Sequence, residues 1–329
     1  MTEIELKFQI PPDAQAAVAK AMASGRAGRT RLQAVYFDTP DRRLAAAGIA
    51  VRLRLEGAQW VQTAKAGDPH AMQRHEHNVP VEGAADGPPP TLELARHDGT
   101  PAGALMARAL CGAVPVPLYR TDVVRAHRTV HAGRGTIELA LDVGEIVAED
   151  RRWPLHELEI ELVDGDVVAV LDAAACWVRR HGLWLDVRTK AERGDRLARG
   201  VTRGEPVTGR PFPPGASMKA IASAGLAHLL PNASEVASGD FTAGHLHQMR
   251  LAMRRLSAGL RPHGIDAAWD TVLVETCRTT RDAARAGAAV RAPAFTQMLL
   301  GLQALAVLPD GQVIDMTCAD NASLMGSCG

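Results

Sequence analysis

The chain has 329 residues, 22% of them charged, and its 37 basic and 37 acidic side chains cancel to a formal net charge of zero. That length suits about two domains, and the neutral balance supplies no general drive toward nucleic acid or a membrane surface. The cysteines, Cys111, Cys176, Cys277, Cys318 and Cys328, are scattered and form no CxxC pair, which argues against a zinc ribbon or a disulfide framework.

The chain opens on Met1-Thr2-Glu3-Ile4-Glu5, acidic and without the apolar stretch of a signal peptide. Glu3 to Phe8 alternates with period two and predicts a strand. Asp13 to Met22 is Ala-rich, follows Pro11-Pro12 and predicts a helix. Further strands are expected at Leu32 to Phe37, Val51 to Leu55, Trp60 to Lys65, Arg74 to Asn78, Thr136 to Leu141 and Leu155 to Leu162. Val167 to His181 has helical spacing and stops at Gly182. From Gly200 to Gly215 prolines and glycines mark a linker. Helices are then expected over Ser217 to Leu230, Thr242 to Leu260 and Ala267 to Ala289. The longest apolar run, around Met298 to Leu308, is shorter than the about 20 residues that cross a bilayer. These textures divide the chain into a domain over 1–199, a linker over 200–216 and a smaller helical domain over 217–329. A cytoplasmic protein is expected.

The informative feature is where the strand charges fall, because side chains at i, i+2 and i+4 share one face. Glu3, Glu5 and Lys7 alternate with Ile4, Leu6 and Phe8; Arg52 and Arg54 alternate with Val51, Leu53 and Leu55. Glu157, Glu159 and Glu161 share a face, Arg74, Glu76 and Asn78 share another, and Glu138 to Asp142 follows the same rule. Any one of these segments fits a solvated outer face. A face of carboxylates alone is self-repelling unless positive groups lie nearby. The set fits a closed antiparallel β-barrel with a polar interior and an apolar exterior covered by helices, an α+β architecture. Carboxylates at one side of such an interior suit a hard cation, Mg²⁺ or Mn²⁺. Guanidinium and ammonium groups around them suit phosphate oxygens.

In this order the motifs resemble the CYTH superfamily, the triphosphate tunnel metalloenzymes. Glu3-x-Glu5-x-Lys7 resembles the ExExK signature. Tyr36-Phe37-Asp38-Thr39-Pro40, Arg52-x-Arg54, Thr63-x-Lys65, Arg74-x-Glu76, Arg125, Leu141-Asp142-x-Gly144, Glu157-x-Glu159-x-Glu161 and Lys190-Ala191-x-Arg193-Gly194 follow the family's later segments. The resemblance covers about residues 1 to 200. Beyond it, His247-x-x-Arg250 followed by Arg254-Arg255 resembles the start of a CHAD domain, a helical module taken to bind polyphosphate.

The resemblance implies an enzyme, most similar to inorganic triphosphatases, that hydrolyses tripolyphosphate to pyrophosphate and phosphate with two Mg²⁺ (or Mn²⁺) ions. Lys7, Arg52, Arg54, Lys65, Arg74, Arg125, Lys190 and Arg193 are its implied phosphate-binding residues. Glu5, Glu159 and Glu161, then Glu3, are its implied metal ligands, with Asp142 and Glu145 as further candidates and Glu76 as a positioning group. Glu5, Lys7, Arg52, Arg54, Lys65 and Glu159 form the expected catalytic set. His247, Arg250 and Arg254 would hold long-chain polyphosphate. No nucleic-acid or membrane partner is expected. Thiamine triphosphatase or class IV adenylyl cyclase chemistry on the same tunnel is an alternative, as is a non-catalytic polyphosphate-binding scaffold. His70, His75 and His77 offer a transition-metal site as a lesser reading.

Overall fold

The computed structural model describes residues 2–24, 27–264 and 267–309. The expected tail beyond Pro309, with Cys318 and Cys328, lies outside them. The strands are β1 (Thr2–Gln9), β2 (Gly28–Asp38), β3 (Ala50–Glu56), β4 (Gln59–Ala66), β5 (Gln73–Val81), β6 (Val116–Ala132), β7 (Gly135–Ala148), β8 (Arg151–Gly165) and the short β9 (Trp184–Leu185). Every pairing is antiparallel, in the order β5-β4-β3-β2-β6-β7-β8-β1-β9, and β5 also pairs with β1. That last pairing closes the sheet. On one edge of β1, Glu5 lies opposite Glu161 and Lys7 opposite Glu159; at its start Glu3 lies opposite Arg74 of β5. Closure removes exposed edges and turns the period-two alternation into an inside and an outside.

The outside is apolar because helices cover it. Leu6, Phe8, Leu139, Leu141, Leu158 and Ile160 pack in one cluster with Val170, Leu171, Ala174, Trp177 and Val178 of α4 (Val168–His181). Each fully buried side chain of this size contributes about 1.5–3 kcal/mol. Over β3 and β4, Val51, Ala64 and Ala66 pack against α2 (Arg43–Ala46) and α3 (Pro101–Leu110) through Leu44, Ala102, Met106 and Leu110. The remaining helices of this half are α1 (Gln15–Met22) and α5 (Lys190–Arg199). Gly182, at a φ of 65°, ends α4 in the left-handed region that its lack of a Cβ permits.

The second half is helical: α6 (Met218–Ser238), α7 (Ala243–Leu260), α8 (Ala267–Thr279), α9 (Ala283–Arg291) and α10 (Pro293–Val307). It continues the core of the first half. Leu229, Met249, Leu256 and Leu300 belong to the same buried cluster as Trp177 and Phe8. The proline- and glycine-rich segment before α6 is fastened down. Val207 and Asn232 exchange two hydrogen bonds (3.1 and 2.9 Å), and Arg255 donates to the Gly209 carbonyl at 2.7 Å.

Helices α2, α3, α5 and α10 have no counterpart among the expected helices, and two of the expected ones differ in extent. The helix expected to stop at Leu230 runs through Pro231 to Ser238, because α6 is buried along most of its length, from Ile221 to Ala237. Burial on several sides outweighs the missing backbone donor of one proline. The single helix expected over Ala267 to Ala289 is two, and Asp282 caps the second by accepting from the Ala284 N–H at 3.0 Å.

Candidate active site

The inward residues surround a cavity of about 500 Å³. β1 contributes Glu3, Glu5 and Lys7; β3 Arg52 and Arg54; β4 Thr63 and Lys65; β5 Arg74, Glu76 and Asn78; β6 Arg125; β7 Glu138 and Asp142; β8 Glu159 and Glu161. Lys190 enters from the first turn of α5. Leu32, Val123, Ile146 and Leu155 form an apolar cluster that packs with Leu197 of α5.

Two distinct charge arrangements share this cavity. In the first, carboxylates and cations are matched. Arg125 grips Asp142 through Nε and Nη2, both at 2.7 Å, and reaches Glu159 at 2.5 Å. Lys190 lies 2.7 Å from Glu159 and 2.8 Å from Asp142, and also pairs with Glu157. Arg193 pairs with Glu157 from behind. Burial opposes the charged forms of Asp142 and Glu159, but Lys190 and Arg125 outweigh it and hold both below the usual carboxylate range. Asp142, Glu157 and Glu159 bring oxygens within 4.8 Å of one another, a set that could hold a metal ion. The Lys190 ammonium pairs with all of them.

In the second arrangement acid is in excess. Glu138, Glu161 and Glu5 are successive cross-strand partners over β7, β8 and β1, and Glu3 lies on the same face of β1 as Glu5. Lys7 pairs with Glu5 at 2.6 Å. Lys65 pairs with Glu3 at 2.6 Å and with Glu76 at 3.4 Å. Burial, reinforced by Glu3, Glu5 and Glu159, pushes Glu161 up to about 8. Burial, with Glu5 and Glu76, overcomes Lys65 and pushes Glu3 up to about 7. Buried oxygen donors that lack enough positive charge to stay ionised fit a hard divalent cation.

Arg52 of β3 and Arg74 of β5, the latter beside Glu3, bring unused donors to the same cavity. Arg52 meets the Tyr36 hydroxyl at 3.2 Å, yet its Nε, like that of Arg74, is buried without a hydrogen-bond partner among the described residues. Unpaired buried guanidinium donors are costly without an anion. Tyr36 stacks on Tyr119 at 4.8 Å, and the Tyr119 hydroxyl donates to the Ala191 carbonyl at 2.9 Å. A Cβ on Gly194 would meet the Tyr119 ring at 2.2 Å, so glycine lets α5 lie flat there and bring in Lys190. Asp38 accepts from the Thr39, Leu44 and Ala45 N–H groups at 2.7–2.9 Å, fixing the turn that follows Tyr36.

Residues 1–194 match the family described as CYTH domain. This chain belongs to the CYTH family. An inorganic triphosphatase of Haemophilus influenzae is 26% identical to the CYTH chain over 200 residues, covering 59% of this chain and 54% of that protein. The chain thus spans about half the length of that curated relative. Among solved structures, a putative adenylyl cyclase of Hippeastrum, described as having a dominant triphosphatase activity, aligns at 17% identity over 60% of this chain and 96% of its own, with a TM-score of 0.39. A protein of Pyrococcus horikoshii aligns at 18% identity over 58% and 96%, with a TM-score of 0.38.

Some expected site residues of the CYTH barrel lie elsewhere. Glu145 is three residues from Asp142 and so on the opposite face; it pairs with Arg152 on the exterior, 38% exposed. Arg193 is 2% exposed and held by Glu157 and the Thr189 carbonyl, behind the cavity wall. The histidines disperse: His70 meets Glu192 at 3.2 Å, His77 meets His97 at 2.9 Å outside the barrel, and His75 is exposed. On α7, His247 and Arg254 are exposed and Arg250 is half-buried, 3.5 Å from the Thr280 carbonyl. Glu138 and Glu157 were not among the expected site residues. The shared face of Glu138 and Asp142 was the available signal for the first; the Glu157-x-Glu159 repeat was the signal for the second.

No helix among the described residues is long and apolar enough to cross a membrane.

Proposed function

We propose that this chain hydrolyses inorganic tripolyphosphate to pyrophosphate and phosphate, with Mg²⁺ or Mn²⁺ as cofactor. The observation that carries the reading is the meeting, in one cavity, of an acid-rich row (Glu3, Glu5, Glu138, Glu161) with guanidinium groups that keep an unpaired buried Nε, Arg52 on β3 and Arg74 beside Glu3 on β5. A pure polyanion binder has no use for clustered acids that repel its ligand.

Phosphoryl transfer needs positioning and charge neutralisation more than covalent chemistry. Arg52, Arg54, Arg74, Lys65, Arg125 and Lys190 would orient the phosphate oxygens and draw off charge that develops on the leaving phosphate. Arg125 and Lys190 are themselves held in place by Asp142 and Glu159, which makes them pre-organised. Glu5 and Glu161, with Glu3, would hold the metal ion. The bound metal supplies charge neutralisation at the phosphoryl group and activation of the attacking water.

The test is phosphate release from tripolyphosphate, thiamine triphosphate and ATP in parallel, with Mg²⁺, Mn²⁺ or EDTA. Metal-dependent release from tripolyphosphate with the highest kcat/KM supports the reading. Cyclic AMP from ATP, with no phosphate from tripolyphosphate, overturns it. One feature favours an organic triphosphate as the second reading. A neighbouring cavity of about 630 Å³ shares Ala50, Arg74, Thr189 and Ala191 with the tunnel and is walled by Phe37, Ile49, Val51 and Pro231.

The helical half supports a separate role. We propose that His247, Arg250 and Arg254, in the CHAD-like segment, bind long-chain polyphosphate. Replacing all of them with alanine should weaken polyphosphate binding at low salt at least tenfold; unchanged affinity rejects the assignment.

A further inference from the structure

Glu235 lies on α6, in the helical half, far along the chain from the tunnel motifs. It is 3% exposed. Its carboxylate accepts from Arg196 at 2.5 Å, from the Gly204 N–H at 3.1 Å and from Arg188 at 3.5 Å. Its neighbour Ser234 accepts from the Val187 N–H at 3.1 Å. Arg188 and Val187 immediately precede Thr189 and Lys190, and Arg196 lies in α5 itself. Residues 186–189 run without regular strand or helix hydrogen bonding. The segment that delivers Lys190 is therefore fixed from one side by α6.

We infer that Glu235 is a positioning residue for the tunnel: it locks the start of α5 so that the Lys190 ammonium stays among Asp142, Glu157 and Glu159. This rests on the triphosphatase reading for its kinetic consequence, but not for its structural one. The physical reason is charge placement. Arg188 is also paired with Asp186, at 2.7 Å, and Arg196 with Glu192. Without Glu235 each arginine keeps a local partner within its own segment, and the charged ties to α6 are gone, leaving the Ser234–Val187 hydrogen bond to reach across. The segment loses its registration against the helical half without losing its own internal pairs. The helical half then contributes to catalysis as a brace.

The test has two arms. Amide hydrogen exchange over residues 187–194 in Glu235→Gln should be at least tenfold faster than in the wild type, with β7 and β8 unchanged. Wild-type exchange there overturns the inference whatever the enzyme's activity. Should global unfolding obscure that variant, Ser234→Ala removes a single tie and should give the same local change more weakly. In the second arm, tripolyphosphate turnover is measured for Glu235→Gln, Lys190→Ala and the double variant. Glu235→Gln should lower kcat about tenfold with little change in KM, and should add nothing in the Lys190→Ala background. Additive losses in that cycle overturn positioning through Lys190. A wild type with no metal-dependent turnover removes the functional reading and leaves the exchange arm to decide on the brace.

Discussion

Two sets of carboxylates line one barrel, and Asp142 and Glu159 of the first fare oppositely to Glu161 and Glu3 of the second, while Glu5, against burial, is kept below the usual carboxylate range by Lys7 and Lys65. Asp142 and Glu159, with Glu157 behind them, are held by Arg125, Lys190 and Arg193, and Asp142 and Glu159 are kept ionised against the cost of burial. A few ångströms along β8, Glu161 shares its row with Glu5 and Glu138, and burial among like charges pushes it up to about 8. Proximity of acids therefore does not identify a metal site. The set that brings its oxygens closest together is the one already neutralised by a lysine. The set in which acids outnumber their lysine partners, Lys7 and Lys65, is the one proposed above to take the metal.

The sharpest way to break that contrast is Glu161→Gln. It should lower metal-dependent turnover about 10²–10³-fold while raising the melting temperature of the metal-free protein, since it removes a repelled charge. Its pH signature follows from the sign of the shift. A carboxyl whose folded pKa is raised binds more protons folded than unfolded, so stability falls as pH climbs from about 4.5 through about 8. Glu3, pushed up to about 7, adds to the same slope. Thermal melts of metal-free protein across that window should show the fall, and Glu161→Gln should flatten it. A variant that retains both full turnover and the wild-type slope would show that Glu161 is an ordinary solvated group.

Glu157→Gln probes the other set. Removing this charge leaves Arg193, 2% exposed, without its carboxylate. Breaking a buried pair by deleting one partner costs about 3–5 kcal/mol. Denaturant midpoints should report that loss, while turnover per folded molecule falls less than in Glu161→Gln. A larger kinetic than thermodynamic effect would reverse the roles assigned to the two sets.

Much of this was legible beforehand because a strand reports its faces with period two. Glu3-x-Glu5-x-Lys7, Arg52-x-Arg54 and Glu159-x-Glu161 turn their charges into the cavity; the aliphatic residues of β1 and β8 lie under helices, while Leu53 and Leu55 pack with Trp60 and Val81. β6 was harder to read, since Arg120, Asp122, Arg125, His127 and Arg128 put charge on both of its faces. The division of labour among the acids was not legible at all. It depends on which cations arrive from other elements, and Lys190 and Arg193 come from a helix whose approach is set by Gly194, Tyr119 and, across the chain, Glu235. Pairing of that kind is a property of the closed structure.

Glu145 gives the smallest effect and a clean check on the register. Asp142 and Glu145 are three residues apart on β7, and a strand turns residues of odd separation to opposite sides. Glu145 therefore pairs with Arg152 on the exterior, with both partners more than a third exposed. An ion pair in that setting contributes about 0–1 kcal/mol and is screened by salt. Glu145→Ala should accordingly leave turnover and metal dependence unchanged and shift the denaturant midpoint only slightly. A large loss of metal-dependent activity from this substitution would mean that β7 is shifted by one residue, and that shift would also turn Glu138 and Asp142 out of the cavity.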